Sequence, residues 1–158
     1  MKALVEGGVD PKATTSPEFT GLARGTVTLP DQLNLKELEY LLSQGVDPNF
    51  GWSFKGYTPL MELASDFIHE KEVYKRRKIE AKPRKGDWIR LYMAHGANPG
   101  KQAIGNYEIP VVLMLVPTQG GWKTERPKES SYNSATKFSE IVGDPELAAI
   151  LAGKNSEQ

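Results

Sequence analysis

Cysteine is absent from this 158-residue chain, which excludes disulfides, thiol nucleophiles and cysteine-based zinc sites together and fits a reducing compartment. Net charge is lacking as well. Lys and Arg total 20 against 20 Asp and Glu, so no overall field draws the chain toward nucleic acid, anionic membrane or acidic substrate. Long apolar runs are missing: the longest, Ile109 to Val116, has 8 residues where about 20 are needed to span a bilayer, so no membrane association is expected. The N-terminus reaches Glu6 after only Ala3-Leu4-Val5, too short for a signal-peptide core, and a cytoplasmic location is expected. Histidine is scarce. His69 and His95 lack metal-ligand spacing, and His95 stands before a Gly where a polar side chain suits exposed helix carbonyls. No glycine-rich phosphate loop or nucleophile elbow occurs. No catalytic residue, cofactor or metal ligand is therefore assigned, and a nonenzymatic role is expected. What the chain does have is 39% hydrophobic and 25% charged residues, enough apolar mass for one globular domain over residues 1–158.

Three stretches repeat without gaps. Ala3-Leu4-Val5-Glu6-Gly7-Gly8-Val9-Asp10-Pro11 aligns with Tyr40-Leu41-Leu42-Ser43-Gln44-Gly45-Val46-Asp47-Pro48 and with Leu91-Tyr92-Met93-Ala94-His95-Gly96-Ala97-Asn98-Pro99. Each is an apolar triplet, two spacers, Gly, a small apolar residue, Asp or Asn, and Pro. That order spells a helix stop: Gly can take the left-handed conformation and Pro cannot continue the helix. Thirteen residues after Gly45 comes Thr58-Pro59-Leu60-Met61-Glu62-Leu63-Ala64, and thirteen after Gly96 comes Ile109-Pro110-Val111-Val112-Leu113-Met114-Leu115. Pro at a first helical position is tolerated, so each string is read as a helix start.

Thr58-Pro59-Leu60-Met61-Glu62-Leu63-Ala64 resembles the ankyrin T-P-L-H-x-A segment with Met61 in place of His. Gly45-Val46-Asp47-Pro48-Asn49 and Gly96-Ala97-Asn98-Pro99 resemble the turn that closes an ankyrin repeat. The resemblance covers most of residues 1–116, with Ser16-Pro17-Glu18-Phe19-Thr20-Gly21 and Ile109-Pro110-Val111-Val112 as worn copies of the helix start. It implies a mainly α fold, a short ankyrin-like helix-turn-helix solenoid with hairpin loops and insertions. Repeats would end near 11, 49 and 100, with a last unit over 109–153.

The Gly-to-Gly distances are 37 (8 to 45) and 51 (45 to 96), against about 33 for an undecorated ankyrin unit. Because the stop-to-start distance stays at thirteen, the extra residues are expected between the paired helices, near 25–34, 64–87 and 117–135. Apolar spacing from Leu60 through Phe67 to Tyr74 predicts a helix running on to about Ala81, before Pro83, with a second helix from Asp87. Residues 118–136 read as loop, and Asp144-Pro145-Glu146 as a capped helix start ending at Gly153.

Two surfaces are singled out. The loop Phe50 to Tyr57 carries four aromatics and two glycines, where the resemblance implies a protruding hairpin; Trp52, Phe54, Lys55 and Tyr57 are its candidate partner-binding residues, with Ile104 and Tyr107 from the matching loop of the next unit alongside. Phe50 and Tyr57 fit packing between repeats equally well. Residues 71–85 are locally basic, and Lys75, Arg76, Arg77 and Lys78 form a possible secondary surface. The expected function is occupation of a partner protein, as an inhibitor, immunity protein or adaptor. The alternatives are a nucleic-acid-associated protein using residues 71–85, or an enzyme accessory subunit. Homo-association through the N-terminal half-repeat is a further possibility.

Overall fold

Periodic apolar positions dictate where the helices lie. The structure is a computed structural model describing residues 6–8, 31–51, 56–103, 108–110, 115–118, 121–124 and 131–153. Among them run five helices: α1 (Asp31–Ser43), α2 (Pro59–Arg77), α3 (Lys85–Ala94), α4 (Ala135–Val142) and α5 (Pro145–Leu151). Four short strands lie between α3 and α4: β1 (Ile109–Pro110), β2 (Leu115–Thr118), β3 (Gly121–Thr124) and β4 (Ser131–Tyr132). The protein is mainly helical. No helix of the described residues is long and apolar enough to cross a membrane.

Each helix start follows from local chemistry. Pro59 opens α2, and Met61 N–H donates to the Thr58 carbonyl at 3.1 Å. Ser134 caps α4 by accepting from Lys137 N–H at 3.2 Å. Asp144 caps α5 by accepting from Glu146 and Leu147 N–H at 3.0 and 2.9 Å, with Pro145 in the first turn.

Helices α2 and α3 pack as one pair and α4 and α5 as the next; α2 also touches α4, and α3 touches both α1 and α5. Two layers result, α2 and α4 in one and α1, α3 and α5 in the other. Phe67, Trp88 and Tyr92 are the largest fully buried side chains, and one apolar cluster runs from Leu38 and Leu42 through α2 and α3 to Phe138, Leu147 and Ile150. Burying each such side chain contributes about 1.5–3 kcal/mol. Leu42, Leu60 and Leu63 belong to this cluster, whereas Leu41 is buried outside it.

The repeated stops have the same hydrogen bonds. Gly45 N–H donates to the Leu42 carbonyl at 3.0 Å and Val46 N–H to Leu41 at 3.4 Å; Gly96 N–H donates to Met93 at 3.1 Å and Ala97 N–H to Tyr92 at 3.0 Å. Gly45 and Gly96 have φ of 85° and 82°, and Gly8, in the first copy, 93°. This is the Schellman ending, in which two otherwise orphaned carbonyls are satisfied. The turns after them match as well: Asn49 N–H donates to Asp47 Oδ1 at 2.8 Å, and Gly100 N–H to Asn98 Oδ1 at 2.9 Å.

Several expectations are corrected. Helix α2 stops at Arg77 rather than near Ala81, because Lys78 turns left-handed (φ 53°, ψ 39°) and the apolar stripe ends at Tyr74, so a longer helix has no face to bury. The string from Ile109 does not open a helix. Ile109 and Pro110 pair antiparallel with Tyr132 and Ser131, and β2 pairs antiparallel with β3, Leu115 opposite Thr124 and Thr118 opposite Gly121. The β-branched Ile109 and the valines after it favour a pleated backbone. Residues 118–136 are not all loop: β3 and β4 lie within them, and the next helix along the chain is α4. The strands stand between the Gly96 turn and α4. The Ser16–Gly21 string and the insertion near 25–30 lie outside the described residues.

Candidate interaction surface

The expected aromatic strip begins at the two matching turns, and Asn49 joins them. Its Oδ1 accepts from Asn98 N–H, its Nδ2 donates to the Gly96 carbonyl at 3.3 Å, and Lys101 Nζ donates to the Asn49 carbonyl. The backbones leading into the two loops are thereby held side by side. Gly51 and Gly56 then pinch the base of the first loop: a Cβ at Gly51 would stand 2.7 Å from Gly56 Cα, a separation only glycine permits.

Trp52, Phe54, Lys55, Ile104 and Tyr107 lie outside the described residues. Tyr57 is half-buried and packs against the core, and Phe50 is buried at 7% exposure, so Phe50 takes the packing role. Next to this base lies the outer side of α2. Glu62, Ser65, Asp66 and His69 recur at helical spacing opposite the buried Leu60, Leu63, Ala64 and Phe67. Tyr132 of β4 reaches that side. Burial pushes its hydroxyl up to about 12, against a hydrogen bond with Ser65 and with the help of nearby Tyr57, Glu62 and Asp66.

Within the basic segment, Lys71, Arg84 and Lys85 have partners that the fold supplies. Lys71 Nζ meets Asp144 at 2.7 Å and Glu146 at 3.0 Å, and these carboxylates raise its pKa although burial opposes them. Arg84 Nε meets Glu70 at 2.9 Å, and Lys85 Nζ lies 5.3 Å from the Trp88 ring centroid. Lys75, Arg76, Arg77, Lys78 and Lys82 are exposed. The four residues singled out from the sequence are thus brought together at the end of α2.

Glu70 is the best-satisfied carboxylate of this region. It accepts from Tyr74 Oη at 2.8 Å, from Arg84, and from Lys85 N–H at 3.0 Å, the first turn of α3. Burial would raise its pKa, but those hydrogen bonds and the Arg84 charge outweigh it and hold Glu70 below its ordinary value. Sequence reading missed Asn49, Lys101, Glu70 and Lys71 as ties between elements. Asn49 alone left a local signal, as the residue after Asp-Pro in a repeated turn. Among the described residues no group of three His, Cys, Asp or Glu could hold a metal ion.

Comparison of the chain with family models, curated proteins and solved structures returned no match.

Proposed function

We propose that the chain is a nonenzymatic protein-binding module, built from about three degenerate ankyrin-like units and acting in the cytoplasm by occupying a partner protein. The observation that carries the reading is the pair of matching turns at 45–50 and 96–101, with identical Schellman and Asx bonding, joined through Asn49. The two helix layers agree with a stack in which each unit buries its apolar face on the next. Met61 supports the register too. It stands where the ankyrin segment has His, and Thr58 N–H donates to its Sδ at 3.5 Å. On this reading, Trp52, Phe54 and Lys55 with Ile104 and Tyr107 form the partner-binding strip beside Tyr57. A binding module of this kind works as an inhibitor, immunity protein or adaptor.

The test uses tagged wild-type protein and the Trp52→Ala/Phe54→Ala variant to capture partners from native lysate, followed by calorimetry on the purified complex. A stoichiometric complex weakened by about 2 kcal/mol or more in the variant, with an unchanged melting temperature, is expected. Equal affinity of the two proteins removes the strip from the interface.

A further inference from the structure

Helix α2 ends in a surface that the proposed strip does not use. Residues 75–82 hold five cations and one carboxylate in a chain of zero net charge. Lys75, Arg77, Lys78 and Lys82 are exposed and make no ion pair among the described residues, in contrast to Lys71 and Arg84 of the same segment. Ile79, at 43% exposure, is the one exposed large hydrophobic among the described residues, and it lies within this cationic stretch.

Helix electrostatics explain part of the arrangement. Cations in a last turn complement the negative end of the helix dipole, which accounts for Lys75, Arg76 and Arg77. They do not account for a lysine, rather than a glycine, at the left-handed position 78. Lys78 is the only non-glycine residue with positive φ among the described residues, whereas Gly8, Gly45, Gly96, Gly143 and Gly153 serve at the other left-handed positions of helix ends. A strained lysine where glycine fits better points to a use for its charge. Nor does the dipole call for an exposed isoleucine among the cations.

We propose that the end of α2, formed by Lys75, Arg77, Lys78, Ile79 and Lys82, docks an acidic protein segment that sets an apolar side chain on Ile79 and carboxylates against the surrounding cations. Charge complementarity carries the choice of an acidic partner. A protein segment fits better than nucleic acid because, among the described residues, no exposed ring accompanies these cations for base stacking: Tyr74 is half-buried and its hydroxyl is bonded to Glu70. The proposal uses none of residues 52–55 and 104–107, so it stands independently of the partner-binding strip.

The test is fluorescence anisotropy of the full chain with a labelled short peptide of Glu and Asp around a single Leu. Controls are the same peptide with Ser for Leu and a single-stranded oligonucleotide. Saturable binding with a Kd on the order of micromolar at physiological salt is expected, weakening as salt rises. Lys75→Ser, Arg77→Ser and Lys78→Ser should each lower affinity about two- to fivefold. Lys78→Gly keeps the test sound if the serine variants lose stability, because it relieves strain: its melting temperature should rise while peptide affinity falls. The Trp52→Ala/Phe54→Ala variant should bind the peptide like wild type, which separates failure of this proposal from failure of the strip. Absence of saturable binding, unchanged affinity in Lys78→Gly, equal binding of the Ser peptide, or tighter binding of the oligonucleotide overturns the proposal.

Discussion

At Gly96 the chain leaves α3 with one N–H bonded three residues back and the next bonded five back; at Lys78 it leaves α2 the same way, Lys78 N–H to the Lys75 carbonyl at 3.3 Å and Ile79 N–H to Tyr74 at 2.9 Å. Beyond these two ends the chain behaves differently. After Gly96 come a buried Ala97, an Asx turn and the bridge to Asn49. After Lys78 come exposed Ile79, Glu80, Ala81 and Lys82. One backbone device therefore makes a joint between two turns where a buried apolar residue and a polar partner succeed it, and a free helix end where they do not.

Substitution at equivalent places should show the largest contrast. Leu42 and Lys75 hold the same position in their helix endings, each carbonyl accepting from the left-handed residue three positions later. Leu42 is 4% exposed and belongs to the core, whereas Lys75 is exposed. By chemical denaturation, Leu42→Ala should cost about 2–5 kcal/mol. Lys75→Ala should stay within about 0.5 kcal/mol of wild type. Similar losses at both positions would mean that the end of α2 is as integrated as the joint.

The bridge itself comes next. Asn49→Ala removes the acceptor for Asn98 N–H and the donor to the Gly96 carbonyl. Because these groups are partly accessible to water, the loss should be about 1–2 kcal/mol in the same measurement. A loss near zero would leave the two turns adjacent but not coupled.

Exchanging the left-handed residues sharpens the comparison further. A Cβ at Gly96 meets nothing within 4 Å, so Gly96→Lys carries only the backbone penalty, about 1 kcal/mol. Lys78→Gly should gain a comparable amount, offset in part by the greater freedom of glycine in the unfolded chain. Thermal melts of both variants should therefore move in opposite directions.

The joints were legible in the sequence because their causes lie within a few residues: Gly at the left-handed position, Asp or Asn to close the turn, Pro to stop the helix. The free end was not, since nothing local marks Lys78 as left-handed. The string from Ile109 was misread as a helix start for a related reason. Ile109-Pro110 pairs with Ser131-Tyr132 across an intervening hairpin, a long-range contact that spacing does not reveal, and α4 is too short, at 8 residues, to announce itself by periodicity. Of the candidate sites, the four cations at the end of α2 fall within the described residues and lie together, exposed. Lys71 and Arg84 could not be set apart from them, because their carboxylate partners come from elsewhere in the fold.

The smallest expected effect distinguishes the anchored part of α2 from its free end by pH. Glu70 holds the first N–H of α3 and is only 11% exposed, with its pKa below the ordinary 4.5. A carboxylate depressed in the folded state contributes stability above its unfolded pKa and loses it as pH falls through the folded value. The contribution is therefore complete at neutral pH, begins to fade near 4.5 and is gone below the folded pKa. Glu70→Gln removes this charge, so wild type should melt higher than the variant at neutral pH, and the gap should close on acidification through that window. Lys71 gives the opposite limb. Its pKa is raised above 10.5 by Asp144 and Glu146, so its contribution is complete below that value and lost as pH rises through the folded pKa. Lys75→Ser, at the free end, should track wild type along both limbs. A melting-temperature gap between Glu70→Gln and wild type that stays constant from neutral to acid pH would show that the Glu70 ties act through shape rather than charge.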